Sequence, residues 1–192
     1  MARDPANTRN RLLRAADEIA ATQGAGGVSL DAVAAHAGVS KGGLLYHFPS
    51  KSALLRALVE HHLAEYESRL DATSSGRPNA FMLQLIDGFC DEWREDKPVA
   101  GLLAALAEDP AILAPVGAFY ERAMTRVRAE STDPLLAQLA LLALQGLRAD
   151  RLLGVVAASD KRISLLLDEL RARLRAGAER AEHHSPHPGG PA

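Results

Sequence analysis

Cysteine is almost missing from the sequence, since Cys90 is the only one among 192 residues. A chain with a single cysteine has no internal disulfide, so its fold does not depend on an oxidising compartment. Also missing are the run of about 18 apolar residues that a membrane span needs and, at the polar N-terminus, the apolar core of a signal peptide. These absences predict a soluble cytoplasmic protein with no membrane partner.

Aromatic residues are also scarce, at 4% of the chain, and the formal net charge is only -2. A strongly basic total, the simplest sign of a nucleic-acid-binding protein, is therefore absent. The distribution of charge is more informative, because residues 1–51 carry six Lys and Arg against four Asp and Glu, while the remainder is acidic. A mildly basic N-terminal segment is consistent with an end of the molecule that meets phosphate.

Motifs for catalysis, for phosphate binding and for metal binding are lacking as well. No nucleophile motif or phosphate-binding loop is present. The neighbouring His61 and His62 would point about 100° apart on a helix and do not chelate easily together. The histidines at 183, 184 and 187 are close enough in sequence to bind a metal adventitiously. We predict no catalytic residues, no cofactor and no functional metal site.

What the sequence does contain is Ala and Leu throughout, a composition that favours helices. Apolar residues recur at helical spacing between turn-rich breaks such as 24–27 and 71–79. The predicted fold is all-α. The predicted helices begin near 8, 29, 40, 51, 80, after Pro98, after a break bracketed by 109–110 and 114–115, at 133–134 and at 160, the last one ending near 176. A Pro-, Gly- and His-rich tail over 183–192 is predicted to be disordered.

Two short helices near the N-terminus begin with the same device. Ser29 and Ser40 are helix-capping residues, each preceded by a valine and followed four residues later by Val33 or Leu44. This pattern is a hydrophobic staple, which fixes how the chain enters a helix. Gly38 is well placed to end the first short helix in a left-handed conformation. A short helix, a tight turn and a second short helix form the geometry of a DNA-binding helix-turn-helix.

The second short helix is the predicted recognition helix, whose first turn must face base edges in the major groove. Lys41 can donate to guanine or to phosphate, and the two glycines after it would let the backbone come close to DNA. That approach would offset a helix-propensity cost of about 1 kcal/mol per glycine. Lys51 begins the next helix, where a phosphate is favoured. The predicted DNA-binding residues are Ser40, Lys41, Gly42, Gly43, Tyr46, His47 and Lys51.

From about Arg11 to Leu58, the sequence resembles the N-terminal domain of the TetR family of regulators. The resemblance rests on the stretches 12–19, 28–34, 37–40 and 45–51, and its most specific part is Tyr46-His47-Phe48-Pro49-Ser50-Lys51. It implies a three-helix DNA-binding domain, a fourth connecting helix and a helical domain that binds a ligand and dimerises. It also implies that Lys41 and Gly43 read bases and that Tyr46, His47 and Lys51 grip phosphate.

One position departs from the family pattern. Some relatives carry a basic base-reading residue two positions after the first capping serine, where this chain has Asp31. A carboxylate repels phosphate but favours a helix N-terminus. We interpret Asp31 as a structural residue, which leaves few side chains to read bases.

The segment 135–147 carries no charge, and a helix that is apolar on every side must be buried on every side. Since a chain this small has little interior, we predict that this helix and the last helix pair with their symmetry mates as a four-helix bundle. The alternative is that they complete a monomeric core. The predicted dimerisation residues are Leu136, Leu139, Leu142, Ile163, Leu166, Leu167 and Leu170.

The resemblance also implies a small-molecule pocket in the body of the chain. Bulky side chains would line it, and polar residues at or near the apolar helix would orient the ligand. The alternative is plain core packing of the same side chains. The candidate ligand-binding residues are Phe89, Trp93, Phe119, Tyr120, Met124, Gln145 and Arg148.

Together these observations predict a ligand-responsive repressor, a homodimer that binds double-stranded DNA at a palindromic operator and is released by a small molecule. The predicted domains are a DNA-binding domain over 1–50, a connecting helix and ligand-binding domain over 51–182, and the tail. Two alternatives are a helical scaffolding protein without DNA binding, whose affinity for DNA would show no steep salt dependence, and a small helical enzyme, whose turnover would survive deletion of 1–50.

Overall fold

The computed structural model describes residues 5–73, 76–94, 109–153, 155 and 161–184. In that part of the chain all regular structure is helical, which confirms the all-α prediction. The α-helices are α1 (Pro5–Gln23), α2 (Leu30–Ala37), α3 (Lys41–His47), α4 (Lys51–Thr73), α5 (Ala80–Arg94), α6 (Ala114–Glu130), α7 (Pro134–Leu152) and α8 (Lys161–His184), with 3₁₀ turns at Ala25–Gly27 and Pro110–Leu113.

The chain forms two compact units. The first combines Met1–Glu67 with Lys97–Tyr120, and the second combines Ser68–Asp96 with Glu121–Ala192. The division falls within α4, whereas the sequence analysis placed a domain boundary before Lys51. The boundaries of the DNA-binding domain stay a prediction.

The first unit is built around a core to which α1 to α4 all contribute. Leu12, Leu44 and Leu54 are completely buried in it, and Ile112 from the 3₁₀ turn joins the same cluster. Burial of one such leucine stabilises the fold by roughly 2 kcal/mol relative to exposure. The helix-turn-helix is therefore held as one body by apolar packing.

The capping devices read from the sequence are present. The Ser29 hydroxyl accepts a hydrogen bond from the Ala32 N–H at 3.2 Å, and the Ser40 hydroxyl accepts one from the Gly43 N–H at 3.1 Å. Gly38 ends α2 at φ 62°, the left-handed conformation that glycine adopts without strain. These caps confirm the predicted short helices and fix the angle at which α3 leaves α2.

The second unit packs α5 against α7 and α8. Its interior contains apolar side chains of all three helices, with Val127 of α6 also completely buried. Asn79, just before α5, is a buried polar residue in this unit. Its side-chain nitrogen donates to Thr132 Oγ1 at 2.9 Å and to the Leu174 carbonyl at 2.7 Å, so it ties three segments together.

Three predicted boundaries need correction. The chain does not break at 114–115, because the 3₁₀ turn leads directly into α6 and Pro115 lies in the first helical turn, where proline costs no hydrogen bond. Helix α1 begins at Pro5 rather than near 8. Helix α8 continues to His184 rather than ending near 176, so the predicted tail begins inside a helix. Its Ala, Glu and Arg residues favour helix even where the apolar stripe has ended.

Two sequence predictions fall outside the described residues. They are the short helix after Pro98 and the disorder of positions 185–192.

Candidate nucleic-acid interface

Helix α3 divides its residues between the core and the surface. Leu44 is completely buried and Phe48, at its C-terminal cap, is 2% exposed, so these two side chains anchor the helix. Tyr46 is 80% exposed and packs edge-on against the His47 ring, with the centroids 5.1 Å apart. The Tyr46 hydroxyl is therefore free to meet a partner rather than held in the core.

The predicted DNA-binding residues lie at or near the surface of the first unit. Ser40, Lys41, Gly42 and Tyr46 are exposed, and Gly43, His47 and Lys51 are half-buried. The Ser50 hydroxyl accepts a hydrogen bond from the Ala53 N–H at 3.1 Å and so caps α4. Lys51 then occupies the first turn of that helix, where the helix dipole and the remaining free N–H groups favour an anion.

The two glycines of α3 differ in their surroundings. A Cβ on Gly42 would meet nothing within 4 Å, whereas a Cβ on Gly43 would lie 3.0 Å from Val39 Cγ1 and 3.2 Å from Ser40 Oγ. Gly43 is thus explained in part by close packing against the turn. Gly42 is open to solvent, where the lack of a side chain lets another molecule approach the backbone.

Two arginines that the sequence analysis did not select lie beside His47. Arg9 and Arg56 line a shallow cavity of about 240 Å³ together with His47, Phe48 and Glu60. The Arg9 guanidinium lies over the Phe48 ring, 5.4 Å from its centroid, and Arg56 Nε is 3.2 Å from Glu60 Oε1. Both are candidates for phosphate contacts. For Arg9 the only sequence signal was the basic character of residues 1–51, and Arg56 lies outside that segment.

Other charges of this unit are engaged within it. Arg11 donates to the Ala37 carbonyl at the end of α2, so its role is partly to cap that helix. Lys41 Nζ lies 2.8 Å from Asp31 Oδ1 and 3.1 Å from Asp31 Oδ2. Asp31 lies in the first turn of α2, in agreement with the structural interpretation, but it also contacts the predicted base-reading lysine. That contact was not expected from the sequence.

Five of the candidate ligand-binding residues belong to the second unit. The rings of Phe89 and Trp93 are buried and stack with centroids 5.3 Å apart. The Arg148 guanidinium lies 5.2 Å from the Phe89 centroid and its Nε is 3.0 Å from Glu92 Oε2. Gln145, in contrast, is exposed on α7. The structure therefore groups three of these side chains as a packed aromatic and charged cluster.

The remaining candidates are placed separately. Met124 is half-buried in the second unit. Phe119 and Tyr120 belong to the first unit, where the Phe119 ring is 5.8 Å from Tyr66 and 5.4 Å from Tyr120. Whether any of these seven residues contacts a ligand stays a prediction.

The predicted dimerisation residues divide between surface and interior. On α7, Leu139 and Leu142 are 56% and 51% exposed, and Leu136 is half-buried. On α8, Leu166 is 66% exposed, but Leu167 is 4% exposed and belongs to the core of the unit, and the other two are half-buried. The expected burial of 135–147 on every side is therefore absent within the single chain. Leu135 and Leu165, which were not selected, are also exposed.

Comparison with known families covers both parts of this structure. Residues 12–58 match the family described as bacterial regulatory proteins, tetR family, and residues 79–175 match the family described as tetracyclin repressor-like, C-terminal domain. The chain belongs to the TetR family. As a TetR-family protein it is a DNA-binding transcriptional regulator of the ligand-responsive class, and its N-terminal match contains the helix-turn-helix described above. Proteins of the TetR family are generally not enzymes.

Solved structures of similar fold agree with this assignment. A TetR-family member from Streptomyces coelicolor A3 (SCO1917) is 26% identical, with 85% of this chain and 97% of that chain covered and a TM-score of 0.59. A TetR-type regulator from Streptomyces avermitilis (sav143) is 23% identical, with 90% and 99% covered and a TM-score of 0.62. The multidrug binding protein EbrR complexed with ethidium is 24% identical, with 89% and 98% covered and a TM-score of 0.61. A comparison with curated proteins gave no match.

Within the described ranges, no helix is both long and apolar enough for a membrane span. Nor do three His, Cys, Asp or Glu side chains come together there as a metal site.

Proposed function

We propose that this TetR-family regulator is a repressor that binds a palindromic operator as a homodimer and releases it when a small molecule binds the second unit. The observation that carries the proposal is the exposed first turn and Tyr46 of α3, held outward by the buried Leu44 and Phe48. A recognition helix must combine such an outward polar face with a fixed inner face.

The residues that we propose as phosphate contacts lie around α3 in the first unit. Lys51 occupies a helix N-terminus, and His47 shares a cavity with Arg9 and Arg56. Phosphate contacts of this kind fix the register of a protein on the duplex, while the first turn of the recognition helix reads base edges. We assign positioning to Lys51, His47, Arg9 and Arg56, and base reading to Lys41 and the backbone beside Gly42.

The exposed leucines of the second unit support a homodimer. Leu135, Leu139 and Leu142 recur at helical spacing on one side of α7, and each is more than half exposed. Leu165 and Leu166 are 70% and 66% exposed on α8. An apolar surface of this extent is unfavourable in water and is typical of subunit interfaces. A homodimer on a palindromic operator needs its two recognition helices about 34 Å apart, one turn of DNA.

The ligand site of the proposal is the aromatic cluster of Phe89 and Trp93. Trp93 is 5% exposed, and its Nε1 is a buried donor without a hydrogen-bond acceptor among the described residues. A buried donor without a partner costs about 1–3 kcal/mol, and an acceptor group on an otherwise apolar ligand would recover that cost. EbrR, which has this fold, has been crystallised with ethidium.

Helix α4 is the proposed link from ligand to DNA, because its residues contribute to both units. Near its C-terminus, Asp71 pairs with Arg126 of α6. Burial alone would lower the pKa of the Arg126 guanidinium, but hydrogen bonds and charge from Asp71 and Glu130 outweigh it and raise that pKa. The guanidinium therefore stays charged and keeps its contact with Asp71, through which a ligand-stabilised movement of α6 would pull on α4. Such a ligand acts by shifting a population of conformations.

The DNA arm is tested by selecting bound duplexes from random sequence and measuring their affinities. We expect two inverted half-sites. Inserting five base pairs between them places the half-sites about half a turn apart, so a dimer should lose most of its affinity. Equal binding of the inserted and original duplexes would contradict the dimer on a palindrome. Absence of any selected sequence would contradict the regulator proposal itself.

Ligand binding can be followed by the fluorescence of Trp93, because Trp93 is the only tryptophan of the chain. Compounds that change its fluorescence should also release the selected duplex, and Trp93→Phe should weaken release by acceptor-bearing compounds while leaving DNA affinity unchanged. A reporter gene behind the selected operator should be silenced by the protein. Stimulation of that reporter would contradict the repressor assignment.

A further inference from the structure

The contact between Asp31 and Lys41 joins the starts of the two helices of the helix-turn-helix. Lys41 Nζ lies close to both carboxylate oxygens, at 2.8 Å and 3.1 Å. The two side chains remain 71% and 61% exposed, respectively, so neither is fixed by the core. Their mutual position is instead set by the two helix termini that carry them.

Electrostatics at the helix ends favours this pairing. Asp31 lies in the first turn of α2, where a negative charge is stabilised by the helix dipole. Lys41 is the first residue of α3, where a positive charge meets the same end of the dipole unfavourably. The carboxylate offsets that unfavourable position. The pair is thus more than a chance encounter of two surface charges, which by itself contributes at most about 1 kcal/mol.

The position of the pair places a carboxylate where DNA must come. The first turn of a recognition helix faces the base edges. As long as its ion pair with Lys41 is intact, the Asp31 carboxylate stays at that position. A carboxylate there repels phosphate and accepts hydrogen bonds only from a base amino group. In the major groove, a G·C pair offers the guanine O6 and N7 acceptors beside the cytosine N4 donor.

We propose that Asp31 and Lys41 form one base-reading unit that selects a G·C pair, with Lys41 donating to guanine O6 or N7 and Asp31 accepting from the amino group of the paired cytosine. The inference rests on the proposed DNA-binding function and deepens it, since it assigns Asp31 to specificity. The lysine ammonium can donate to both adjacent guanine acceptors while the carboxylate accepts from the cytosine amino group beside them. An A·T pair also places acceptors beside a donor, but the adenine amino group separates adenine N7 from thymine O4, so the pair offers Lys41 only one acceptor next to the donor.

A consequence follows for binding to other sequences. When the protein binds DNA of another sequence, Lys41 has to leave the Asp31 carboxylate to reach a phosphate. The carboxylate then faces the DNA without a hydrogen-bond donor. Asp31 therefore weakens non-specific binding more than specific binding. Specificity arises here from an unfavourable element as well as from a favourable one.

The experiment compares the full-length wild type with Asp31→Ala, Lys41→Ala and the double variant. Glu121→Ala is the control, because Glu121 is an exposed acid of the second unit and its removal changes net charge equally. Circular dichroism checks that each variant keeps its helices. Fluorescence anisotropy measures affinity for the wild-type selected duplex, for duplexes with each half-site base pair replaced in turn, and for a random duplex, over a series of salt concentrations.

We expect the wild type to favour G·C at one position of each half-site by about 5- to 150-fold, the usual range for a good base contact. Asp31→Ala and Lys41→Ala should both lose that preference at the same position, and the double variant should lose no more than either. Asp31→Ala should also tighten binding to the random duplex, whereas Glu121→Ala should match the wild type.

Two results would overturn the inference. One is that Asp31→Ala raises the affinity for every duplex equally and keeps the wild-type base preference. Asp31 would then only repel the phosphates in general. The other is that the two variants relax different base pairs. Failure of the DNA-binding proposal is distinguishable from both, because it appears before any variant is made, as absence of sequence preference in the wild type.

Discussion

Replacement of Asn79 by alanine tests how the second unit is held together. Asn79 is 1% exposed, and its side chain makes three hydrogen bonds, two of them with Thr132 and one with the Leu174 carbonyl. Its own N–H donates to the Glu130 carbonyl at 3.1 Å. The residue also adopts φ 62°, a left-handed conformation. One side chain thus connects the start of α5, the turn between α6 and α7, and α8.

The expected loss of stability can be worked out bond by bond. Each buried hydrogen bond contributes about 1 kcal/mol net, so removal of three costs about 3 kcal/mol. Alanine in the left-handed region adds about 1 kcal/mol, because its Cβ crowds the following carbonyl. Asn79→Ala should therefore lower the free energy of unfolding of this unit by about 4 kcal/mol. Asn79→Gly should lose the hydrogen bonds without that strain, and Thr132→Ala, which removes one bond, should lose only about 1 kcal/mol.

Urea denaturation followed by the fluorescence of Trp93 measures this loss, because the only tryptophan of the chain lies in the same unit as Asn79. Protein concentration must be the same for all variants, since dimerisation would make stability depend on it. A loss below about 1 kcal/mol for Asn79→Ala would refute the reasoning, because it falls within the contribution of a single hydrogen bond. Equal losses for Asn79→Ala and Thr132→Ala would refute it as well.

Three further variants test the other arguments. Lys51→Ala should weaken binding to all duplexes and lower the salt slope by about one unit, as loss of one phosphate contact does, measured by anisotropy in a salt series; an unchanged slope would remove Lys51 from the interface. Leu139→Lys should convert the dimer to a monomer in sedimentation velocity without changing helix content, because a charge cannot be buried unpaired in an interface, and a persisting dimer would locate the interface elsewhere. Gly177→Ala should cost about 1–3 kcal/mol of stability, as overpacking does, because its Cβ would lie 2.8 Å from Thr132 Oγ1; wild-type urea resistance would show that Thr132 can move aside.

Much of the first unit was determined by local sequence. The capping serines, the left-handed Gly38 and the helical spacing of leucines act over a few residues, so their signals are complete in the sequence. The surface position of Tyr46 and the burial of Leu44 follow from the same short-range pattern. The boundaries were less predictable where propensity and apolar spacing disagree, as at the end of α8.

The remaining features depend on residues that are distant in the sequence. The Asp31–Lys41 pair, the Arg9 position over Phe48 and the Asn79 hydrogen bonds to Thr132 and Leu174 each join separate segments. An apolar residue looks the same in the sequence whether it faces its own core, as Leu167 does, or the surface, as Leu166 does. The helical spacing of the leucines was enough to predict an apolar stripe along α8, because such a stripe depends only on the geometry of one helix. Which part of the stripe is buried was decided by the tertiary structure, since burial requires a neighbouring helix to cover it.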